Sequence, residues 1–206
     1  MSYFKVEEAN LTAVANAIRD RAGTKDQLSF PEGFVSAVEG IQDYVMDYVS
    51  ETMTTYKNHK LYTVTRHIFR HSYVKYYDIP NVLYVSAWSF AQSDIVEISL
   101  PIVTKLEWDT FRECNSLKKV ELGGSLSYIQ TRLFYNSKAF DTLILRNTTR
   151  MDLYNTDAFT GTLIASGTGY IYVPRALVDS YKAATNWSNF ANQIRAIEDY
   201  PEITGG

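Results

Sequence analysis

Leu106-Glu107-Trp108-Asp109-Thr110-Phe111-Arg112-Glu113-Cys114-Asn115-Ser116-Leu117-Lys118-Lys119-Val120-Glu121-Leu122 carries the pattern that decides the fold. Leu106 stands five residues before Phe111 and Cys114 three residues after it. Leu117, Val120 and Leu122 then follow as apolar, two variable, apolar, one variable, apolar. The closing alternation around Glu121 is that of a short strand with one face inward and one outward. So short a unit cannot bury its own apolar face. It needs copies of itself to stack against.

The copies are present on both sides. Phenylalanine recurs at Phe69, Phe90, Phe111, Phe134 and Phe159, with spacings of 21, 21, 23 and 25 residues. Five positions before each stands Val64, Val85, Leu106, Ile129 or Tyr154. After them the apolar pattern returns as Val74, Tyr77, Ile79, then Ile95, Ile98, Leu100, then Phe140, Leu143, Leu145. The fifth copy is stretched by the glycine-rich run from Gly161 to Gly169 and closes on Ile171, Val173 and Pro174, as Pro80 and Pro101 close two earlier copies. A fixed period of this length predicts a coil of stacked units with the phenylalanines plugging its interior. The slot of Cys114 holds Ser72, Ser93, Ser137 and Thr162 in the other copies. That slot calls for a small buried residue and argues against a nucleophile.

The unit resembles the BspA-type leucine-rich repeat. Phe111, Cys114, Leu117, Val120 and Leu122 stand where that family's pattern has them. The chain departs from the pattern by lacking the usual glycine after the first apolar residue, and only Ala158 keeps the alanine before the phenylalanine. The resemblance implies an α+β architecture: a leucine-rich-repeat solenoid of about five short units over residues 61–174, then a helical C-terminal cap over 175–206. Tyr172-Val173-Pro174, Leu177, Val178, Tyr181, Asn186-Trp187 and Ile194 to Ile197 are similar to the family's last strand, helix and final short strand.

The first 41 residues predict a small helical module. Asn10 is placed as an N-cap, Leu11, Val14, Ala15 and Ile18 fall on one face, and Gly23 stops the helix. A second start lies at Ser29-Phe30-Pro31-Glu32, followed by Phe34, Val35, Val38 and Ile41. The order of residues from Leu11 to Ile41 resembles a module of phage and prophage tail-associated proteins. That likeness brings a context, a virion or prophage structural protein, and no catalytic residue. Over 42–60, Val45, Val49 and Met53 recur every fourth residue, which predicts a helical linker or a stalk. Residues 1–60 are thus the expected route to a homo-oligomer.

Composition narrows the class. The chain has 206 residues, 46% hydrophobic and 21% charged, which excludes a wholly disordered or collagen-like protein. A net charge of −3 argues against nucleic acid and anionic membrane as partners. No stretch reaches the roughly 20 apolar residues of a membrane helix. The N-terminus, Met1 to Glu8, carries acids where a signal peptide would be apolar, so the expected location is virion-associated, or extracellular after lysis. One cysteine cannot close an intramolecular disulfide. The excess of 16 Tyr, 10 Phe and 3 Trp is largely absorbed by repeat and cap, with Phe140, Tyr77, Tyr154, Tyr181 and Trp187 joining the five repeat phenylalanines as core.

No catalytic chemistry stands out. Gly123-Gly124-Ser125 and Gly167-Thr168-Gly169 are turn-like, with no following lysine or helix start to make a phosphate loop. His67 and His71 are four apart and His59 is near, but they flank Phe69 where a turn is due, and no cysteine joins them as metal ligand. The acids are scattered rather than paired for glycoside hydrolysis. No catalytic, metal or cofactor residue is therefore expected.

The outward strand positions carry the remaining information. In phase, they are Tyr76 and Asp78, Glu97 and Ser99, Lys119 and Glu121, Thr142 and Ile144, Tyr170 and Tyr172. Mixed charge flanked by tyrosines suits recognition of protein or glycan. Tyr76, Asp78, Glu97, Ser99, Lys119, Glu121, Tyr170 and Tyr172 are the candidate ligand-binding residues. The expected role is a non-enzymatic, tail-associated binding protein whose partner is a protein or glycan on a host cell, or another virion tail protein. A BspA-like cell-surface adhesin and a glycan-active enzyme are the alternatives.

Overall fold

The computed structural model describes residues 53–204. Each turn of chain contributes two strands. The first set builds one parallel sheet, in the order β1 (Thr55–Lys57), β3 (Tyr76–Asp78), β5 (Glu97–Leu100), β7 (Lys119–Leu122), β9 (Thr142–Leu145), β11 (Tyr170–Val173) and β12 (Ile194–Ala196). The second set consists of two-residue strands that pair along the side of the coil. β2 (Thr63–Val64), β4 (Tyr84–Val85) and β6 (Lys105–Leu106) form one ribbon, β8 (Tyr128–Ile129) and β10 (Asp152–Leu153) another. Every pairing is parallel, as a chain that always winds the same way requires. The predicted repeat solenoid is present.

The interior follows the predicted phase. All the alternating apolar positions from Val74 to Leu145 are buried, as are Ile171 and Val173. The phenylalanines form a ladder along the axis. Ring centroids are 5.2 Å apart for Phe69–Phe90, 5.3 Å for Phe90–Phe111, and 5.7 Å for both Phe111–Phe134 and Phe134–Phe159. The Cys114 slot is buried in all five copies. Its hydroxyls satisfy the backbone around it: Ser137 Oγ donates to Phe111 O at 2.6 Å and accepts from Cys114 N at 3.1 Å.

Two residues to either side of these phenylalanines the backbone turns left-handed. His67, Trp88, Asp109 and Arg132 lie two before, and His71, Gln92, Glu113, Asn136 and Gly161 two after, all with φ between 51° and 77°. These bends direct N–H groups along the stack. Phe69, Phe90, Phe111 and Phe134 each donate to a carbonyl of the next unit at 2.8–3.0 Å, and Gln92, Glu113 and Asn136 do so at 2.8 Å. Eight of the nine bends are not glycine, and each costs about 1–2 kcal/mol, which the ladder of inter-unit bonds offsets. His67 and His71 occupy two of these bends, in the turn expected around Phe69.

Among the described residues the ladder meets further aromatic rings at both ends. Trp187 and Phe190 pack on Phe159 at 6.0 and 5.0 Å, below a short helix α1 (Val178–Ala183). The Trp187 indole donates to Met151 O at 2.8 Å, and the Tyr181 hydroxyl accepts from Met151 N at 2.9 Å. At the other end the Tyr56 ring lies 5.1 Å from Phe69.

Three expectations need correction or restriction. The helical module over 1–41, and the linker up to residue 52, lie outside the described residues. The described end of the 42–60 segment is not helical: Thr55–Lys57 is strand β1, in register with β3, because Tyr56 repeats the buried position of Tyr77 one turn earlier. The sheet therefore begins before residue 61. Tyr154 is 70% exposed, and Leu153 fills its core slot opposite Ile129. A 3-10 turn at Thr156–Phe159, capped by Asn155, inserts one residue between strand and phenylalanine in that copy.

Candidate functional site

The parallel register lays the outward residues out in rows across the strands. Thr55, Tyr76, Glu97, Lys119, Thr142 and Tyr170 are aligned from β1 to β11. Beside them run Lys57 and Asp78, then Ser99, Glu121, Ile144, Tyr172 and Arg195. Regular alternation on consecutive strands is what converts distant sequence positions into neighbours.

Six of the eight candidate residues share one depression. Tyr76, Asp78, Glu97, Ser99, Lys119 and Glu121 line a hollow of about 310 Å³ together with Thr55 and Lys57. Three carboxylates and two lysines face it. Asp78 accepts from His59 Nε2 at 3.0 Å and lies 3.7 Å from Lys57 Nζ. The hydrogen bond from His59, with Lys57 beside it, holds the Asp78 carboxyl below the usual carboxylate range. Glu121 pairs with Arg146. Tyr76 is 40% exposed and offers ring area at the rim.

The other two candidates lie apart from these six. Tyr170 and Tyr172 line a second hollow, of about 400 Å³, with Asp141, Thr142, Thr168, Arg195, Tyr200 and Ile203. Tyr172 is only 3% exposed and Ile144 is fully buried, contrary to their assignment as open surface. For Tyr172 the reason is the C-terminal segment. After a 3-10 turn at Ile197–Asp199, Tyr200 packs its ring 5.4 Å from Tyr172, and α2 (Pro201–Thr204) follows. Lys119 Nζ donates to Ile203 O at 3.0 Å, tying this segment to the middle of the sheet face. Strand periodicity says nothing of a later segment folding back. The apolar spacing of Ile197, Tyr200 and Ile203 is the signal that could have shown it.

The bends carry a second decorated surface, which strand periodicity does not mark. Trp88 lies between Arg70 and Arg112, whose guanidinium carbons are 5.3 and 5.4 Å from its ring. Arg66 stacks on Trp108 at 5.6 Å. A polar ladder crosses the same region: Arg70 donates to Gln92, Gln92 to Glu113, and Arg112 to Glu113 at 3.0 Å. Asp109, wholly buried, accepts from Arg132 at 2.7–3.2 Å. These groups satisfy one another and bind successive units together.

Cys114 is not placed to act as a nucleophile. Cys114 is buried, its Sγ donates to Phe90 O at 3.0 Å, and burial pushes the thiol up to about 12. Among the described residues no group of three His, Cys, Asp or Glu could hold a metal ion. Among the same residues no helix is long and apolar enough to cross a membrane.

No curated protein matches the chain. A family profile described as the BspA type leucine rich repeat region matches residues 33–166 in six copies, one more than the five units read from the phenylalanines. Strand β1 lies within the matched span and ahead of those five units, with Tyr56 and Leu61 standing 21 residues before Tyr77 and Val82. The match spans well over half the chain and takes in most of the stacked units seen in the fold, so the chain belongs to the BspA-type leucine-rich repeat family.

Proposed function

We propose that this chain is a non-enzymatic recognition protein of a phage or prophage tail, and that it presents the outward face of its repeat sheet to a protein or glycan on the host-cell surface. Repeats of this family mark binding and surface repeat proteins, and they are generally non-enzymatic. The observation that carries the reading is the shared hollow of Tyr76, Asp78, Glu97, Ser99, Lys119 and Glu121. Six outward side chains from three repeat units converge there, on one parallel sheet, with both charge signs and an aromatic rim. The tail context comes from the Leu11 to Ile41 segment and its likeness to tail-associated modules. Several copies on one particle would turn a weak contact into firm attachment.

The test is binding of fluorescently labelled protein to candidate host cells. A combined Tyr76→Ala, Glu97→Ala, Lys119→Ala variant should keep the thermal melt of the parent and lose cell binding. Undiminished binding by a folded variant would remove this face from consideration. Turnover of cell-wall glycan by the purified protein would overturn the non-enzymatic reading.

A further inference from the structure

The hollow at the C-terminal end of the sheet has a different chemistry from the first. Three tyrosine rings surround it. Tyr172 forms the buried wall, with the Tyr170 ring 6.4 Å and the Tyr200 ring 5.4 Å from it. Asp141 and Arg195 supply one charge of each sign, and Thr142 and Thr168 supply hydroxyls. The Arg195 guanidinium carbon lies over the Tyr170 ring, 4.8 Å from its centroid, and Nη1 donates to Asn192 O at 2.7 Å and Ile194 O at 3.1 Å. The guanidinium is thus oriented before any ligand arrives. Asp141 Oδ1 accepts from Thr142 Oγ1 at 2.7 Å, which orients the carboxylate likewise.

We infer that this hollow is a binding site for a single neutral hexopyranose unit, closed on one side by the C-terminal segment. Aromatic rings pack against the apolar C–H face of a pyranose, and planar Asp and Arg groups bridge adjacent ring hydroxyls through paired hydrogen bonds. The volume, about 400 Å³, lies in the range of small-molecule sites. The charge balance selects the ligand class. A tyrosine cage alone would favour an organic cation, but here Arg195 offsets the attraction of Asp141 for a cation, and Asp141 offsets that of Arg195 for an acidic sugar. A neutral polyhydroxylated ring uses both groups and is opposed by neither. The inference deepens the recognition reading above, on which it rests, by naming the ligand class and a second site for it.

Saturation-transfer NMR with glucose, galactose, mannose and N-acetylglucosamine, against choline and glucuronate, tests it. At least one neutral sugar should show transfer. Tyr170→Ala should weaken that binding by about tenfold, as should Arg195→Ala, while Glu97→Ala in the other hollow leaves it unchanged. Absence of transfer from every neutral sugar would overturn the inference, as would unchanged binding in folded Tyr170→Ala, or preference for choline or glucuronate. Loss of cell binding in the Tyr76/Glu97/Lys119 variant, with no sugar signal, would overturn this inference alone and leave the recognition reading standing.

Discussion

Phe90 and Phe111 stack with ring centroids 5.3 Å apart and planes 15° apart, and neither exposes any surface. Their near-parallel packing is repeated to Phe69 on one side and Phe134 on the other. Removing a middle ring therefore leaves a void against two neighbours at once. Phe111→Ala should cost about 3–5 kcal/mol, seen as a lower urea midpoint. In a solenoid the loss spreads through nearest-neighbour interfaces, so the unfolding transition should also broaden. An unchanged midpoint would contradict the ladder as the axis of the core.

The left-handed bends make opposite predictions at two sites. At Gly161, φ is 77° and a Cβ would sit 2.5 Å from Asn136 Oδ1, so Gly161→Ala should destabilise by about 1–2 kcal/mol. His71 is exposed at φ 61°, and His71→Gly should raise stability by up to about 1 kcal/mol as the strain of the non-glycine residue is released. Thermal melts of the pair should move in opposite directions.

Asp109 is a wholly buried carboxylate held by Arg132, with Arg112 at 3.5 Å. Asp109→Ala leaves both guanidinium groups without this acceptor. Because both arginines retain solvent access, the expected loss is about 1–3 kcal/mol rather than that of a fully buried pair. Double-mutant cycles with Arg132→Ala should show coupling between the two positions.

Cys114 should be chemically silent in the folded protein. Its thiol is raised by burial from its usual 9.0 to about 12, so the native state holds the proton longer than the unfolded chain. Below pH 9 both states are protonated and the group has no effect on stability. Between pH 9 and 12 the unfolded chain loses the proton first, and stability falls as pH rises. Iodoacetamide at pH 8 should label the thiol only as fast as the protein opens. Fast labelling of native protein would contradict the buried slot.

The fold class was legible in the chain because each unit writes its own core. Phe69, Phe90, Phe111, Phe134 and Phe159 recur at near-constant spacing, and the alternation after each sets which side chains turn inward. From that phase alone Tyr76, Asp78, Glu97, Ser99, Lys119 and Glu121 fall on one face, and the structure gathers all six into one hollow. Less visible were local departures from the period: the 3-10 turn that turns Tyr154 outward, and strand β1 ahead of the five units, where Met53, Tyr56 and Leu61 stand 21 residues before Val74, Tyr77 and Val82. The left-handed bends were equally hidden, since His, Trp, Asp and Gln hold positions where glycine would have announced them.

Sequence by itself determined the solenoid, the inward face and the small buried slot of Cys114, because these depend on spacing within a unit and on contacts between successive units. Tertiary structure alone decided how much of the outward face stays open. Tyr172 has the phase of a surface residue and the burial of a core one, because Tyr200, from the end of the chain, lies across it. A contact between a repeat and a segment outside the period leaves no periodic trace, and only the folded chain brings the two together.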